Sequence, residues 1–203
     1  MEHTENQISI RGSLLSLPEF SHENHGKTFL SFTLEVARLS GAVDRIPVIA
    51  PKAMLDPLDP SAGEMIYVEG QVRSHNLHKE DGRHLQIFVF ASLLRIEDGE
   101  AQNQLTVTGN LCRDPVLRRT PLGRDICDLM LAVPRAYHRA DYLPCILWGR
   151  TAQDASFCRT GDRITIDGRL QSRCYNKVTE AGMEVRTAYE ISAMTADFHE
   201  DLY

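Results

Sequence analysis

Two halves of this chain carry the same sequence pattern about 97 residues apart. Three segments of the first half return in the second: residues 7–14 (QISIRGSL) as 104–111 (QLTVTGNL), 34–38 (LEVAR) as 131–135 (LAVPR), and 68–74 (VEGQVRS) as 166–172 (IDGRLQS). The offset is 97 for the first two pairs and 98 for the third, so the copies are collinear. A repeat of this length indicates a duplicated domain and not a solenoid unit.

The length of the chain agrees with two domains. With 203 residues, it accommodates two units of about 100 residues, each large enough to bury its own core. A polar, glycine-containing stretch near residue 100 is typical of a linker. We therefore expect a first domain over 1–98, a linker at 99–102, a second domain over 103–196, and an acidic tail stub over 197–203.

Both copies show the period-two alternation of β-strands. Leu30, Phe32, Leu34 and Val36 alternate with polar residues, for example. We predict strands at 8–13, 30–36, 45–50, 65–74 and 84–94 and, in the second copy, at 105–110, 127–133, 142–148, 163–172 and 186–192. We predict turns at 121–123, 139–141 and 180–182, and a helix at 151–160 that ends before a glycine.

Five short strands with a helix between the third and fourth are the pattern of the OB-fold, a Greek-key barrel. The predicted fold class is therefore all-β: two tandem OB-folds, each a five-stranded barrel with a short helix or loop between strands 3 and 4.

The charge of the two copies differs. Residues 1–100 carry 9 Lys and Arg against 15 Asp and Glu, whereas residues 101–203 carry 13 of each. Three of the 13 acids of the second half lie in the predicted tail, and 12 of its 13 bases are arginine. If one copy binds a polyanion, we expect it to be the second.

Several classes of function have little support. All five cysteines lie in the second half without a CxxC pair, which favours reduced thiols in a cytoplasmic protein. No apolar run is long enough to span a membrane, and the polar start does not resemble a signal peptide. His75, His78 and His84 fit no standard zinc spacing, and no common catalytic motif occurs. We expect no metal, no cofactor and no enzymatic activity.

The second copy carries the residues that bind single strands on an OB-fold, namely arginine for phosphates and aromatics for stacked bases. On one strand Arg169, Arg173 and Tyr175 share a face, and on the preceding strand Tyr142 and Trp148 do so. We expect nucleic acid to contact Arg113, Arg118, Arg124, Arg135, Arg150, Arg169, Arg173, Tyr137, Tyr142, Trp148 and Tyr175.

Each of these residues also has a structural interpretation. Trp148 could belong to the core, and any single arginine could be a solvated surface residue. The first copy has Arg45, Pro51 and Leu77 where the second has Tyr142, Trp148 and Tyr175. We interpret it as a degenerate partner, retained mainly for packing or assembly.

Four segments of the second copy, taken together, resemble bacterial single-stranded DNA-binding proteins. They are NQLTVTGNLCRDPVLRRTPLGRD at 103–125, LAVPR at 131–135, ILWGRTA at 146–152 and TIDGRLQSRCY at 165–175. The resemblance covers 103–194 and extends weakly to 6–95 through the repeat. It implies stacking by Tyr142, Trp148 and Tyr175. It also implies a working unit of four OB domains, which a chain with two reaches as a homodimer.

The chain departs from the family pattern at its end, because the long Gly/Pro/Gln-rich tail is absent. The final residues, DFHEDLY, could recruit replication or repair proteins or could form a frayed terminus.

Three functions remain open. The first is a non-enzymatic protein of the cytoplasm and nucleoid that coats single-stranded DNA without sequence preference in replication, recombination or repair. The second is an accessory factor of the primosome or of recombination that binds proteins through its OB surfaces. The third is an RNA-binding OB protein.

Overall fold

The structure is a computed structural model that describes residues 5–79, 82–179 and 182–199. The elements of the first copy are β1 (Asn6–Leu14), β2 (Glu19–Asn24), β3 (Lys27–Ala37), β4 (Val43–Pro51), α1 (Lys52–Leu55), β5 (Met65–Lys79) and β6 (Gly82–Ile96). Those of the second are β7 (Gln102–Leu111), β8 (Val116–Arg119), β9 (Asp125–Arg135), β10 (Arg139–Trp148), α2 (Gly149–Ala155), β11 (Arg163–Thr179) and β12 (Gly182–His199).

Each copy closes into a five-stranded barrel. In the first copy the ring runs β1-β3-β4-β6-β5 and returns to β1, with β4 and β6 parallel. The second copy repeats this ring as β7-β9-β10-β12-β11, with β10 and β12 parallel. Each helix connects the third barrel strand to the fourth, so the predicted tandem OB-folds are confirmed.

The alternation of apolar residues builds the two barrel cores. Ile8, Ile10 and Leu34 are fully buried in the first copy, and Leu131 and Ile166 in the second. Because successive strand residues point to opposite faces, the alternate residues are left for the outer surfaces.

A glycine occupies the same repeat position in each long hairpin, where the register shifts. A Cβ on Gly70 would overlap the carbonyl oxygen of Phe90, and one on Gly168 would overlap that of Ser192. The side chain is absent because the backbones approach closely at this bulge.

The two copies join edge to edge. Strand β1 pairs antiparallel with β7, from Asn6 opposite Val107 to Arg11 opposite Gln102. The strands β6-β5-β1-β7-β11-β12 therefore form one continuous six-stranded layer, whose solvent side we call the outer face.

Two related polar contacts also connect the copies. The buried carboxylate of Asp44 accepts hydrogen bonds from the Ser172 backbone N–H at 2.7 Å and from Arg38 Nε at 2.7 Å. The buried Asp141 likewise accepts from the Ser74 N–H at 2.7 Å and from Arg73 at 2.9 Å. We call these contacts the Asp–Ser latches; their aspartates lie 97 residues apart and their serines 98.

The ten predicted strands are confirmed, but two further strands, β2 and β8, were not predicted. The predicted turn at 139–141 is wrong, because those residues begin β10. The chain reverses one step earlier, where Tyr137 and His138 adopt positive φ angles of 62° and 54°. The turn at 180–181 lies outside the described residues.

The helix predicted at 151–160 is in fact α2, which begins at Gly149 and ends at Ala155. It stops early because Ser156, Phe157 and Cys158 each donate to a carbonyl three residues back, which tightens the last turn. Strand β12 also extends further than predicted, since Asp197–His199 pair with β11, so these three residues are strand and not tail.

Candidate nucleic-acid interface

The second barrel has an open face formed by strands β8 to β12. Trp148 on β10 lies opposite Ile126 on β9, and Ile126 in turn lies opposite Arg118 on β8. Residues paired in this way lie on the same side of a sheet. Trp148, the single tryptophan, therefore lies on the surface of this face and remains 39% exposed.

A cavity of about 530 Å³ lies on this face; we call it the copy-2 cavity. Its lining includes five of the predicted contact residues, namely Arg118, Arg124, Trp148, Arg169 and Arg173. They come from the β8–β9 hairpin, the end of β10 and the outward side of β11. The structure thus brings residues 55 positions apart in the sequence to one concave surface.

The arginines of the copy-2 cavity differ in how they are held. Arg118 makes a bidentate contact with Asp128, at 2.5 and 3.1 Å, and this hydrogen bonding raises the pKa of its guanidinium. Arg173 lies 3.9 Å from Glu190 and is largely exposed. The buried Nε of Arg169 has no hydrogen-bond partner among the described residues. Arg118 is thus more closely paired with a carboxylate than Arg173 is.

Tyr175 continues the same side of β11 beyond the cavity. The Arg173 guanidinium lies 5.8 Å from its ring centroid, within cation–π range. Tyr175 is 39% exposed on the extended β11–β12 hairpin. The Tyr175 ring is therefore the next aromatic surface along β11 for a flat group that extends beyond the cavity.

Arg38 of the first copy also lines the copy-2 cavity, and it was not predicted. The buried Asp44 holds it there, and its guanidinium donates to the Ser172 carbonyl at 3.3 Å. Hydrogen bonding to Asp44 raises its pKa. A signal was present in the sequence, because Arg38 occupies the same repeat position as the predicted Arg135.

The remaining predicted residues lie outside this cavity. Tyr142 is exposed on β10, six residues or about 20 Å before Trp148 along the strand. Arg135 is the last residue of β9 and lies next to the first copy, and the exposed Tyr137 lies in the β9–β10 turn. Arg113 is exposed in the loop after β7, and Arg150 is exposed at the start of α2.

Over residues 5–79, 82–179 and 182–199, no cluster of three or more His, Cys, Asp or Glu side chains has a geometry that could hold a metal. In the same ranges, neither helix has the length and apolar character that a membrane span requires.

The model of the single-strand binding protein family matches residues 102–199. The single-stranded DNA-binding protein B of Bacillus subtilis is 36% identical over 103 residues, which are 47% of this chain and 88% of that protein. In two other bacterial relatives the matched region is a smaller share of the protein, 63% and 59% of their length.

The similarity also extends over both copies. The single-stranded DNA-binding protein of Thermus thermophilus is 28% identical over 197 residues, 81% of this chain and 74% of that protein. The crystal structure of the wild-type protein from Thermus aquaticus superposes with a TM-score of 0.77 at 26% identity, covering 96% of this chain and 93% of that one.

Proposed function

The chain belongs to the single-strand binding protein family, and from this premise we propose which of its surfaces hold the strand. Its function is to bind single-stranded DNA. This function is favoured over the alternative of an accessory factor that binds only proteins. The strand lies on the open face of the second copy, across the copy-2 cavity.

The observation that supports this site is the convergence of an exposed tryptophan with several arginines on one concave face. Arg169 and Arg173 bind phosphate oxygens, while Trp148 and Tyr175 stack on bases. Every base offers a π-face and every nucleotide a phosphate, so such a surface binds without sequence preference. No proton transfer or bond cleavage is needed for this role, which we propose to be non-catalytic.

The outlying predicted residues extend this path. Tyr137 and Tyr142 offer further exposed rings, and Arg113, Arg135 and Arg150 offer phosphate contacts outside the cavity, in addition to Arg124 in its lining. A strand in this position is sheathed, which suits a role in replication, recombination or repair within the cytoplasm and nucleoid. Recruitment of other proteins through the C-terminal residues is part of the proposal; residues 200–203 lie outside the described residues.

We also propose that the working unit is a homodimer with four OB domains. The outer face spans six strands from both copies and carries a cavity of about 420 Å³ over the β1–β7 seam. Exposed Met194 lines this cavity, and exposed Leu93 lies opposite Glu69, another of its lining residues. A second chain stacked on this face would cover these apolar side chains.

Fluorescence anisotropy of labelled oligo-dT tests the strand-binding site. We expect wild-type affinity to fall as salt rises, by about 0.7 log units per phosphate contact for each log unit of salt. The double variant Arg173→Ala/Tyr175→Ala removes one cation and one ring from the path. We expect it to weaken binding by at least tenfold and to reduce the salt slope.

The matched control is Phe157→Ala/Arg159→Ala. It also removes an aromatic ring and an arginine two residues apart, both exposed, but neither lines the copy-2 cavity. The control should bind like wild type. Equal loss in both variants would mean that the second copy's open face is not the binding surface. Failure of the wild-type chain to bind at low salt would overturn the proposal as a whole.

A further inference from the structure

A second concave surface lies beside the copy-2 cavity, where the two copies meet. It measures about 340 Å³, and we call it the junction cavity. The first copy lines it with residues 36–40, the end of β3 and the turn that follows, and the second copy contributes Asn103 and Arg169. Arg38 and Arg169 also line the copy-2 cavity and are the two residues common to both linings. The two concave surfaces therefore meet at a pair of guanidinium groups, one from each copy.

An Asp–Ser latch holds Arg38 at this boundary. Its Nε and Nη2 donate to the buried Asp44 carboxylate at 2.7 and 2.5 Å, and Nη2 also donates to the Ser172 carbonyl at 3.3 Å. The third nitrogen, Nη1, makes no hydrogen bond within the described part of the chain. Because the planar guanidinium is fixed along one side, its remaining N–H groups are already oriented for a further acceptor.

Arg169 is the second guanidinium group of the boundary. Its Nε is buried and has no hydrogen-bond partner among the described residues. Buried donors in proteins are almost always paired, so an acceptor from outside the protein fits here. Five arginines line the two cavities, against the two carboxylates of Asp44 and Glu190. This excess of positive charge favours an anionic ligand.

The repeat shows how an arginine came to lie at this boundary. Residues 71–73 are Gln-Val-Arg, whereas their counterparts at 169–171 are Arg-Leu-Gln. In the first copy Arg73 donates to the buried carboxylate of Asp141 at 2.9 Å. The second copy has the uncharged Gln171 at that repeat position and its arginine two residues earlier. The second copy therefore places its arginine at the edge of the two cavities and not against a buried carboxylate.

We propose that Arg38 and Arg169 form a binding site for one phosphodiester group of a single strand, built jointly by the two copies, with Asp44 as the residue that positions Arg38. The strand then continues from the copy-2 cavity into the junction cavity. Guanidinium groups suit a phosphate, whose oxygens accept several charge-assisted hydrogen bonds. Because Arg38 reaches this site only where the copies are docked, the second copy alone holds an incomplete site. The inference rests on the proposed strand binding and adds a contact from the first copy to it.

Photocross-linking tests whether the strand enters the junction cavity. Leu39 lines this cavity and is fully exposed, so p-benzoylphenylalanine at position 39 replaces no core side chain. Phe157, an 80% exposed ring outside both cavities, gives the matched control position. After irradiation with labelled oligo-dT, we expect the yield of cross-linked protein to be at least tenfold higher for position 39 than for position 157.

Arg38→Ala tests the cation itself, and Arg45→Ala is its matched control. Arg45 belongs to the same copy and also pairs with a carboxylate, that of Glu35 at 3.3 Å, but it is exposed and lines neither cavity. In anisotropy titrations with oligo-dT, we expect Arg38→Ala to weaken binding about tenfold and to lower the salt slope by about 0.7. Arg45→Ala should bind within a factor of two of wild type, with its slope unchanged.

Asp44→Asn tests the positioning role, because charge and position predict opposite results. The substitution removes a negative charge next to the site, so it would strengthen binding if Asp44 acted through net charge alone. An amide cannot pair with both Nε and Nη2 of Arg38 as a carboxylate does. We therefore expect Asp44→Asn to weaken binding about fivefold, at a temperature where circular dichroism shows the variant to be folded.

The outcomes separate this inference from the proposed function. Wild-type binding without a cross-link at position 39 would overturn the junction site and leave the copy-2 cavity intact. This measurement retains Arg38 and Asp44, so it decides the question even if neither variant folds. Equal affinities of Arg38→Ala and Arg45→Ala would overturn the contact by Arg38, and binding by Asp44→Asn as tight as wild type would overturn the positioning role. Failure of the wild-type chain to bind at low salt would overturn the proposed function itself.

Discussion

At the scale of single residues, Trp148 is both a predicted nucleic-acid contact and an intrinsic fluorescent probe of binding. It is the single tryptophan of the chain and lines the copy-2 cavity while remaining partly exposed. Stacking on a base is worth about 1–3 kcal/mol by alanine substitution. We therefore expect oligo-dT to quench the tryptophan fluorescence, and Trp148→Ala to weaken binding about 5- to 150-fold in anisotropy titrations.

Phe157→Ala is the control for this variant, because Phe157 is an 80% exposed ring outside the cavity. It should bind within a factor of two of wild type. Unquenched fluorescence at saturating oligonucleotide, combined with full affinity of Trp148→Ala, would remove Trp148 from the interface.

The five cysteines differ in reactivity for physical reasons. Cys127 is buried, and the loss of solvation raises its pKa to about 11, while burial raises the pKa of Cys145 further still. Only thiolate reacts with iodoacetamide, so a raised pKa slows the reaction at pH 8. Cys174 is exposed on β11. We expect it to be alkylated first in the native protein, as followed by intact mass.

Cys112 and Cys158, whose pKa values burial also raises, should react more slowly than Cys174. All five thiols should react in denaturant, which serves as the control. Native labelling of Cys127 or Cys145 at the rate of Cys174 would contradict the burial of the second core.

At this scale, sequence reasoning predicted part of the geometry of the candidate site. Period-two alternation put Arg169 and Arg173 on one side of a strand, and both do line the cavity with Trp148. Arg38 was missed because its place depends on how one copy docks on the other, through Ser172, which lies 134 residues away. A local sequence pattern cannot predict such a contact. The repeat could have indicated it, because Arg38 occupies the repeat position of the predicted Arg135.

At the scale of elements, the Asp–Ser latches tie strands of one copy to strands of the other. Asp44 is buried, and Arg38 and the Ser172 N–H both depend on it for hydrogen bonding. Removing one member of a buried ion pair leaves the other uncompensated and costs about 3–5 kcal/mol. For a chain of this length we expect Asp44→Ala to lower the Tm by roughly 6–20 °C in calorimetry.

Asp56→Ala is the matched control, because Asp56 also pairs with a base, Lys52, but both side chains are about half exposed. Exposed pairs contribute about 0–1 kcal/mol, so its Tm should change by no more than roughly 4 °C. Similar melting of the two variants would mean that the latch does not hold the copies together.

The sequence predicted the strands whose apolar residues alternate strongly. It missed strand β8, whose pairing depends on contacts between charged side chains. The sequence of β8 is typical of a basic loop. In the structure it pairs with β9, and two ion pairs, Arg118–Asp128 and Arg119–Asp125, connect the two strands. The end of β12 was missed for a different reason, because it continues through the apolar Phe198, which lies opposite Ile164 on β11. Ile164 and Phe198 lie 34 residues apart, so a window of neighbouring residues cannot reveal their contact, whereas the charged partners of the β8–β9 hairpin are only 10 and 6 residues apart.

At the scale of the whole molecule, the duplication explains the arrangement of charge. The repeat predicted two barrels correctly because each copy contains a complete set of barrel strands that bury their own apolar residues. The net charge of −6 obscures the candidate interface, since the first half carries 9 basic residues against 15 acidic ones, whereas the second half carries 13 of each and 12 of its bases are arginine. Arg38 of the first copy lines the copy-2 cavity, so cations from both copies lie on this surface.

The outer face carries the last prediction, which concerns assembly. If a second chain covers this face, light scattering after size exclusion should give a molar mass of about twice the 22.9 kDa of one chain. Met194 lines the cavity over the β1–β7 seam and is 66% exposed. Met194→Glu would bury an unpaired charge in the interface, so we expect it to weaken the dimer at least tenfold.

Met183→Glu makes the same change on the projecting β11–β12 hairpin, where Met183 is also exposed. It should remain dimeric, because this hairpin lies away from the β1–β7 seam. A wild-type mass near that of one chain would contradict the dimer. If Met183→Glu dissociates the protein and Met194→Glu does not, the dimer forms through the hairpin, and the six-stranded outer face must then be free in solution.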